Sequence, residues 1–163
     1  MIFVTVGSQK FQFNRLLKKL DDLIEEEIIK EPTFAQTGVS DYIPKHYDHE
    51  AFLNREEFSA RLDACDIVIT HGGTGVIIGA VKKGKKVIAV PRLAKYGEHV
   101  DDHQLQLLHQ FDELGIIDAC YDLDKLGDDY RSLENRQFVP YVSNTQTIID
   151  SLDSFIQSVD SGK

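Results

Sequence analysis

The residues best suited to chemistry lie between Ile67 and Gly79, which reads Ile-Val-Ile-Thr-His-Gly-Gly-Thr-Gly-Val-Ile-Ile-Gly. The β-branched run Ile67, Val68, Ile69 ends at His71, and Gly72, Gly73 and Gly75 then break the apolar pattern around Thr74. That is the pattern of a buried parallel strand, a tight turn and the start of a helix. A turn without Cβ atoms lets backbone N–H groups approach a ligand, and a helix N-terminus favours negative charge. The expected guest is a phosphate or diphosphate, with His71 as an added side-chain donor. Gly-x-x-x-x-Gly-Lys-Ser/Thr is absent, as is Gly-x-Gly-x-x-Gly on the first strand, so Walker-type and dinucleotide sites are excluded. The plain alternative is a glycine turn that only reverses the chain. His71 argues against it, because a simple turn needs no such donor.

Two further polar segments follow strand-like runs. Gly7-Ser8-Gln9 comes after the first, and Pro91-Arg92 with Lys95 through Gln104 after the run at 87–90. In open α/β sheets ligands bind outside the carboxyl ends of the strands, so these segments and the His71 turn are expected to converge on one edge. Glu98, His99, Asp102, His103 and Gln104 mix acceptors and donors in a way that suits sugar hydroxyls, while Arg92 and Lys95 would offset a diphosphate. His99, Asp102 and His103 would share one face of a helix at i, i+3 and i+4, so a metal site competes with this reading. Gly97 and the irregular residues before it disfavour helix at His99, and no metal is expected. The third possibility is a capped surface helix with solvated charges. His46 and His49 read as exposed imidazoles, and His109 as a surface or partly buried one.

These segments need a scaffold, and the rest of the chain supplies one. With 163 residues and 42% hydrophobic content there is one domain's worth of core, expected over residues 1–159, with 160–163 frayed. No run approaches a membrane span, and Met1 leads straight into an apolar strand, so no signal peptide is expected. A formal charge of −9 argues against nucleic acid as a partner. Cys65 and Cys120 make neither a disulfide framework nor a metal knuckle and read as buried, reduced thiols. A cytoplasmic protein is expected.

Strand and helix signals alternate. Strands are expected at residues 2–6, 33–37, 50–53, 66–70, 87–90 and 116–120. Helices are expected at 13–29, at 55–64 capped by Asn54 with Glu57 three residues on, at 76–83 closed by Gly84, at 101–114 closed by Gly115, and at 145–159. Residues 38–48 read as loop. The fold class is α/β: a doubly wound, mostly parallel sheet with helices on both faces.

The strings Val4-Thr5-Val6-Gly7-Ser8, His71-Gly72-Gly73-Thr74-Gly75 and Tyr96-Gly97-Glu98-His99-Val100-Asp101-Asp102-His103-Gln104 resemble the C-terminal domain of family 28 glycosyltransferases. Within it the chain looks most like short bacterial exopolysaccharide and capsule subunits of the PssE/EpsF type. It is also similar to the catalytic subunit of the eukaryotic UDP-GlcNAc transferase of dolichol-linked oligosaccharide synthesis. The resemblance implies a Rossmann-like domain, the donor half of a GT-B fold. Gly72–Gly75 would hold the diphosphate of a UDP-sugar beside His71. Gln104, with Asp102 or His103, would reach the sugar, and Gly7 and Ser8 would line the cleft. Many relatives place a ribose-binding glutamate four residues after the last glycine of the turn. This chain has Gly79 there, so ribose recognition must come from elsewhere or be weaker.

The expected function is an inverting, metal-independent glycosyltransferase subunit. It would move a hexose such as galactose from a UDP-sugar to a lipid-linked saccharide, with UDP-sugar as substrate and no cofactor. The chain is too short for two such domains, so the acceptor half would be a membrane-attached partner subunit, holding this chain at the inner face of the membrane. The general base is not identified, with His71, His99 and the partner as candidates. The alternative is a non-catalytic subunit that binds a nucleotide-sugar and activates a transferase.

Overall fold

The computed structural model describes residues 1–6, 12–71, 74–91, 102–133 and 135–138. Strands β1 (Ile2–Thr5), β2 (Thr33–Gln36), β3 (Asp48–Glu50), β4 (Ile67–Thr70), β5 (Lys86–Ala89) and β6 (Asp118–Ala119) form one sheet in the order β3-β2-β1-β4-β5-β6. Every pairing is parallel. The helices are α1 (Asn14–Glu25), α2 (Arg55–Ala64), α3 (Thr74–Lys82), α4 (Asp102–Glu113) and α5 (Leu126–Ser132), the last preceded by a 3₁₀ turn at Leu123–Lys125.

Side chains alternate across a strand, so each central strand feeds two cores. Ile2 and Val4 of β1, Ala35, Ile69 and Ile88 pack against Leu16, Leu17, Leu20 and Leu23 of α1 and Leu126 of α5. Phe3, Phe34, Val68 and Val87 pack on the other face against Leu62 of α2, Ile77 and Ala80 of α3, and Leu108 and Phe111 of α4. Burial on both faces is why these strands read as unbroken apolar runs rather than as alternating ones. The sheet is therefore doubly wound. The order of winding reverses between β1 and β4, which makes their carboxyl ends the topological switch point.

The helix ends follow the expected chemistry. The Asn54 side chain accepts from Glu57 N–H at 2.8 Å, and its amide donates to the Glu57 carboxylate at 2.6 Å. Gly84 (φ 74°) lets the chain turn out of α3 with Lys85 N–H returning to the Ala80 carbonyl at 3.0 Å. Gly115 does the same after α4. Both cysteines are buried, and burial pushes each thiol above the usual range.

Several boundaries differ from expectation. The strand expected at 50–53 is β3, two residues earlier and exposed throughout. Its place is set by backbone pairing from Phe34↔Asp48 to Gln36↔Glu50, not by the apolar Ala51-Phe52-Leu53, which follows it. Helix α3 starts at Thr74 rather than 76, so Gly75 is helical and not part of the turn. Strand β6 is shorter than residues 116–120. The 3₁₀ turn and α5 were unexpected. Leu123, Leu126 and Leu133 anchor them at spacings of three and seven among charged residues. The helix expected at 145–159 and the tail 160–163 lie outside the described residues.

Residues 38–47 are a loop tied to α1 along its length. Phe13 N–H donates to Ser40 Oγ, Tyr42 N–H to Asn14 Oδ1, and the Tyr47 hydroxyl to the Leu17 carbonyl. Buried Asp21 is the hub, accepting from the Tyr42 hydroxyl at 2.6 Å and from Lys45 and His46 N–H, each at 2.9 Å. Burial and the Asp21 charge push the Tyr42 phenol up to about 12. Replacing Asp21 by Ala leaves these donors without their acceptor and is expected to cost about 2–4 kcal/mol. Tyr42→Phe removes one of the bonds and is expected to cost about 1 kcal/mol. Urea unfolding of the two variants beside the native chain measures both. Equal, negligible losses would show that Asp21 is not the hub.

Candidate nucleotide-sugar site at the switch point

A polar row interrupts the apolar sheet where its strands reach the carboxyl edge. Thr5 pairs with Gln36 on one side and with Thr70 on the other. All three are buried, and alternation places them on the face that carries Phe3, Phe34 and Val68. The Thr5 hydroxyl donates to Gln36 Oε1 at 3.4 Å. Val6 N–H donates to the Gln36 carbonyl at 3.2 Å, continuing the β1–β2 ladder one residue beyond the strand.

His71 follows Thr70 directly and is only 7% exposed. Its Nδ1 lies 3.4 Å from the Thr5 carbonyl oxygen and 3.3 Å from Thr70 Oγ1. A carbonyl can only accept, so Nδ1 carries the proton and the neutral ring has its lone pair on Nε2. The imidazole thus ties the ends of β1 and β4 together across the switch point. Three residues later α3 begins, and its first turn brings backbone N–H groups and the positive end of the helix dipole to the same edge.

A cation reaches this edge by a route the sequence did not suggest. Arg15, on α1, donates from Nη2 to the carbonyl of Pro91, just past the end of β5, at 3.4 Å. Linear pattern gave no sign of it, since 76 residues separate the two. Thr5, Gln36 and Thr70 were also passed over as site residues. The signal was present, because each is the polar residue that ends an apolar strand.

The expected site residues divide into three groups. His71 stands at the strand end as anticipated. Gly75 and Thr74 lie in the first turn of α3, and Asp102, His103 and Gln104 open α4. Gly7, Ser8, Gly72, Gly73, Arg92, Glu98 and His99 lie outside the described residues. Among the described residues, no three His, Cys, Asp or Glu side chains are grouped to hold a metal. His46 and His109 are exposed beside Glu25 and Glu113. Gly79 sits inside α3, where an added Cβ would meet only Leu62 Cδ2 at 3.9 Å, so packing does not require glycine there. A cavity of about 580 Å³ opens at the opposite, amino-terminal edge, lined by Glu31, Asp66, Lys86 and Tyr130 among others, and lies away from the switch point.

The sheet order, the winding and the polar carboxyl edge define a Rossmann-like domain of the kind that forms one half of a GT-B glycosyltransferase. Residues 1–158 match the glycosyltransferase family 28 C-terminal domain, and the chain belongs to that family. A curated relative is the UDP-N-acetylglucosamine transferase subunit ALG13 of Candida glabrata, 34% identical over 83 residues. That match spans 50% of this chain and 40% of the relative. The relative is thus a eukaryotic subunit rather than one of the bacterial exopolysaccharide type. A solution NMR structure of ALG13 superposes with a TM-score of 0.62 at 21% identity, covering 93% of this chain and 94% of that one. MurG of Acinetobacter baumannii superposes with a TM-score of 0.59 at 18% identity, covering 94% of this chain and 49% of that one.

The His71 geometry sets an expected outcome for ¹⁵N NMR of the ring. In the neutral form Nδ1 carries the proton and Nε2 does not. The opposite tautomer would mean that the Thr5 carbonyl does not hold the imidazole.

Proposed function

We propose that this chain is the donor-binding subunit of a UDP-sugar-dependent glycosyltransferase. The observation that carries the reading is the His71 imidazole fastened across the β1–β4 switch point, three residues before α3 begins. Family membership supports it, as does the name of the ALG13 relative, a UDP-N-acetylglucosamine transferase subunit.

In this reading the diphosphate lies against the first turn of α3, with backbone N–H groups as donors, the His71 ring donating through Nε2 once it takes up a second proton, and Arg15 nearby as a counter-charge. The sugar extends toward the segment after β5, where Arg92, Glu98, His99, Asp102, His103 and Gln104 would reach its hydroxyls. The nucleoside runs the other way, over β1 toward β2 and β3. The reaction is an inverting displacement. An acceptor hydroxyl oxygen attacks the anomeric carbon, the bond to the diphosphate breaks, and UDP departs with the electron pair. A base takes the hydroxyl proton. Donors aimed at the diphosphate stabilise the charge that develops there, with no metal required. Buried His71, with Nδ1 committed to Thr5, suits the leaving group better than the acceptor, which leaves the base to His99 or to a partner.

The ALG13 relative is named a transferase subunit, which supports a partner chain as the acceptor half. We propose a membrane-attached subunit that presents a lipid-linked saccharide and holds this chain at the inner face of the membrane. The donor sugar is a hexose or N-acetylhexosamine, and the product is a saccharide built on a lipid carrier. Among the described residues, no helix is long and apolar enough to cross a membrane.

Calorimetric titration with UDP, UDP-galactose, UDP-glucose and UDP-N-acetylglucosamine tests the reading. Saturable binding that a chelator leaves unchanged is expected. His71→Ala is expected to weaken it about 10- to 100-fold, the loss of a hydrogen bond to a charged group. No binding of any of the four would overturn the donor-site assignment. Strong chelator sensitivity would replace it with a metal-dependent one.

A further inference from the structure

One polar side chain beside the switch point has no role in the reading above. Gln36 ends β2, is only 5% exposed, and shares its face with Thr5. Its Oε1 accepts the Thr5 hydroxyl, while Nε2 makes no hydrogen bond among the described residues. Among them, the one fully enclosed side-chain polar atom without a partner is Asp118 Oδ2, so Gln36 Nε2 is not fully enclosed. Buried amides rarely leave a donor unused, and one that is anchored through its oxygen and open at its nitrogen is set up to meet a ligand.

We propose that Gln36 Nε2 donates a hydrogen bond to a ribose hydroxyl of the nucleotide bound at this edge. The assignment rests on the proposed UDP-sugar site and follows from spacing along the sheet. Parallel strands stand about 4.8 Å apart, so β2 lies roughly 10 Å from β4 and its diphosphate-binding turn. A nucleoside that leaves this turn away from the sugar crosses β1 and reaches β2 one pentose beyond its phosphates. Gln36 is the next member of the polar row past Thr5 on that path. Phe52, 52% exposed just after β3, lies further along it, where a base would come to rest. The chemistry agrees with the position. A second phosphate would call for a cation, whereas a neutral amide beside a threonine hydroxyl matches a neutral hydroxyl. The Thr5 bond fixes the amide before the ligand arrives, so little rotamer freedom is lost on binding.

The experiment compares UDP with 2′-deoxy-UDP and 3′-deoxy-UDP by calorimetry on the full chain and on Gln36→Met, with thermal melting as the check on folding. In the native chain, removing the hydroxyl that Gln36 contacts is expected to weaken binding roughly threefold to tenfold. In Gln36→Met that penalty is expected to fall below about twofold, because the partner is gone. A penalty that persists undiminished in the folded variant would overturn the assignment while leaving the UDP site intact. No binding of UDP to the native chain would overturn the site itself, and the assignment with it. Should Gln36→Met not fold, the side-chain amide resonance of Gln36 in the ¹⁵N-labelled native chain decides. It should shift with UDP and shift less with the matching deoxy analogue, and an unmoved resonance at saturation would reject the contact.

Discussion

Burial of the parallel sheet on both faces is the constraint from which the rest of this structure follows. Each of the strands β1, β2, β4 and β5 supplies side chains to two separate cores, so its body has no polar position to spare. Functional groups can appear only where the strands run out. At the carboxyl edge the change is abrupt, from Val4, Ala35 and Ile69 to Thr5, Gln36 and Thr70 within one residue. Reversal of the winding between β1 and β4 then opens a gap in the helical cover at the point where those polar ends are held together. His71 occupies that gap, and its contact with the Thr5 carbonyl couples the strands that bound it.

The same edge is braced from the side. The loop over residues 38–47 returns to α1 through Ser40, Tyr42, Lys45, His46 and Tyr47, and buried Asp21 gathers three of those contacts. It presents Ile43, 71% exposed, between the tied residues Tyr42 and Lys45. Val39 and Phe52 are exposed nearby in the chain path, since Gly38 N–H bonds to the Ala51 carbonyl at 2.7 Å. The anchored loop and the strand ends in register hold the side chains of this edge in set positions where described, as suits a site whose donors must already be in place when charge develops.

Much of the fold was legible because local chemistry and tertiary packing agree. The α2 cap, the glycine stops at Gly84 and Gly115, and the apolar runs of β1, β4 and β5 each appear where the pattern places them. The failures share a cause. Strand β3 is exposed on every residue and exists through backbone pairing with β2, so it leaves no hydrophobic signature. Helix α5 is too short for an apolar period to stand out, and its anchors count only because Leu23, Ile28 and the β5–β6 edge are there to meet them. Arg15 reads as one more charge on an amphipathic helix until α1 is laid across the sheet and its guanidinium reaches Pro91.

The sequence by itself determined the α/β class, the strand-turn-helix at His71 and the kinship with family 28, since all three reside in short-range order and residue identity. Tertiary structure alone decided which residues share the site. Thr5, Gln36, Thr70 and His71 are separated by up to 66 positions and meet because parallel pairing aligns the ends of β1, β2 and β4. It also decided that His71 Nδ1 faces the Thr5 carbonyl, and that Gln36 has one amide atom committed and one open. A side chain's hydrogen-bond state depends on partners brought by the sheet, and strand order is not written in any local pattern.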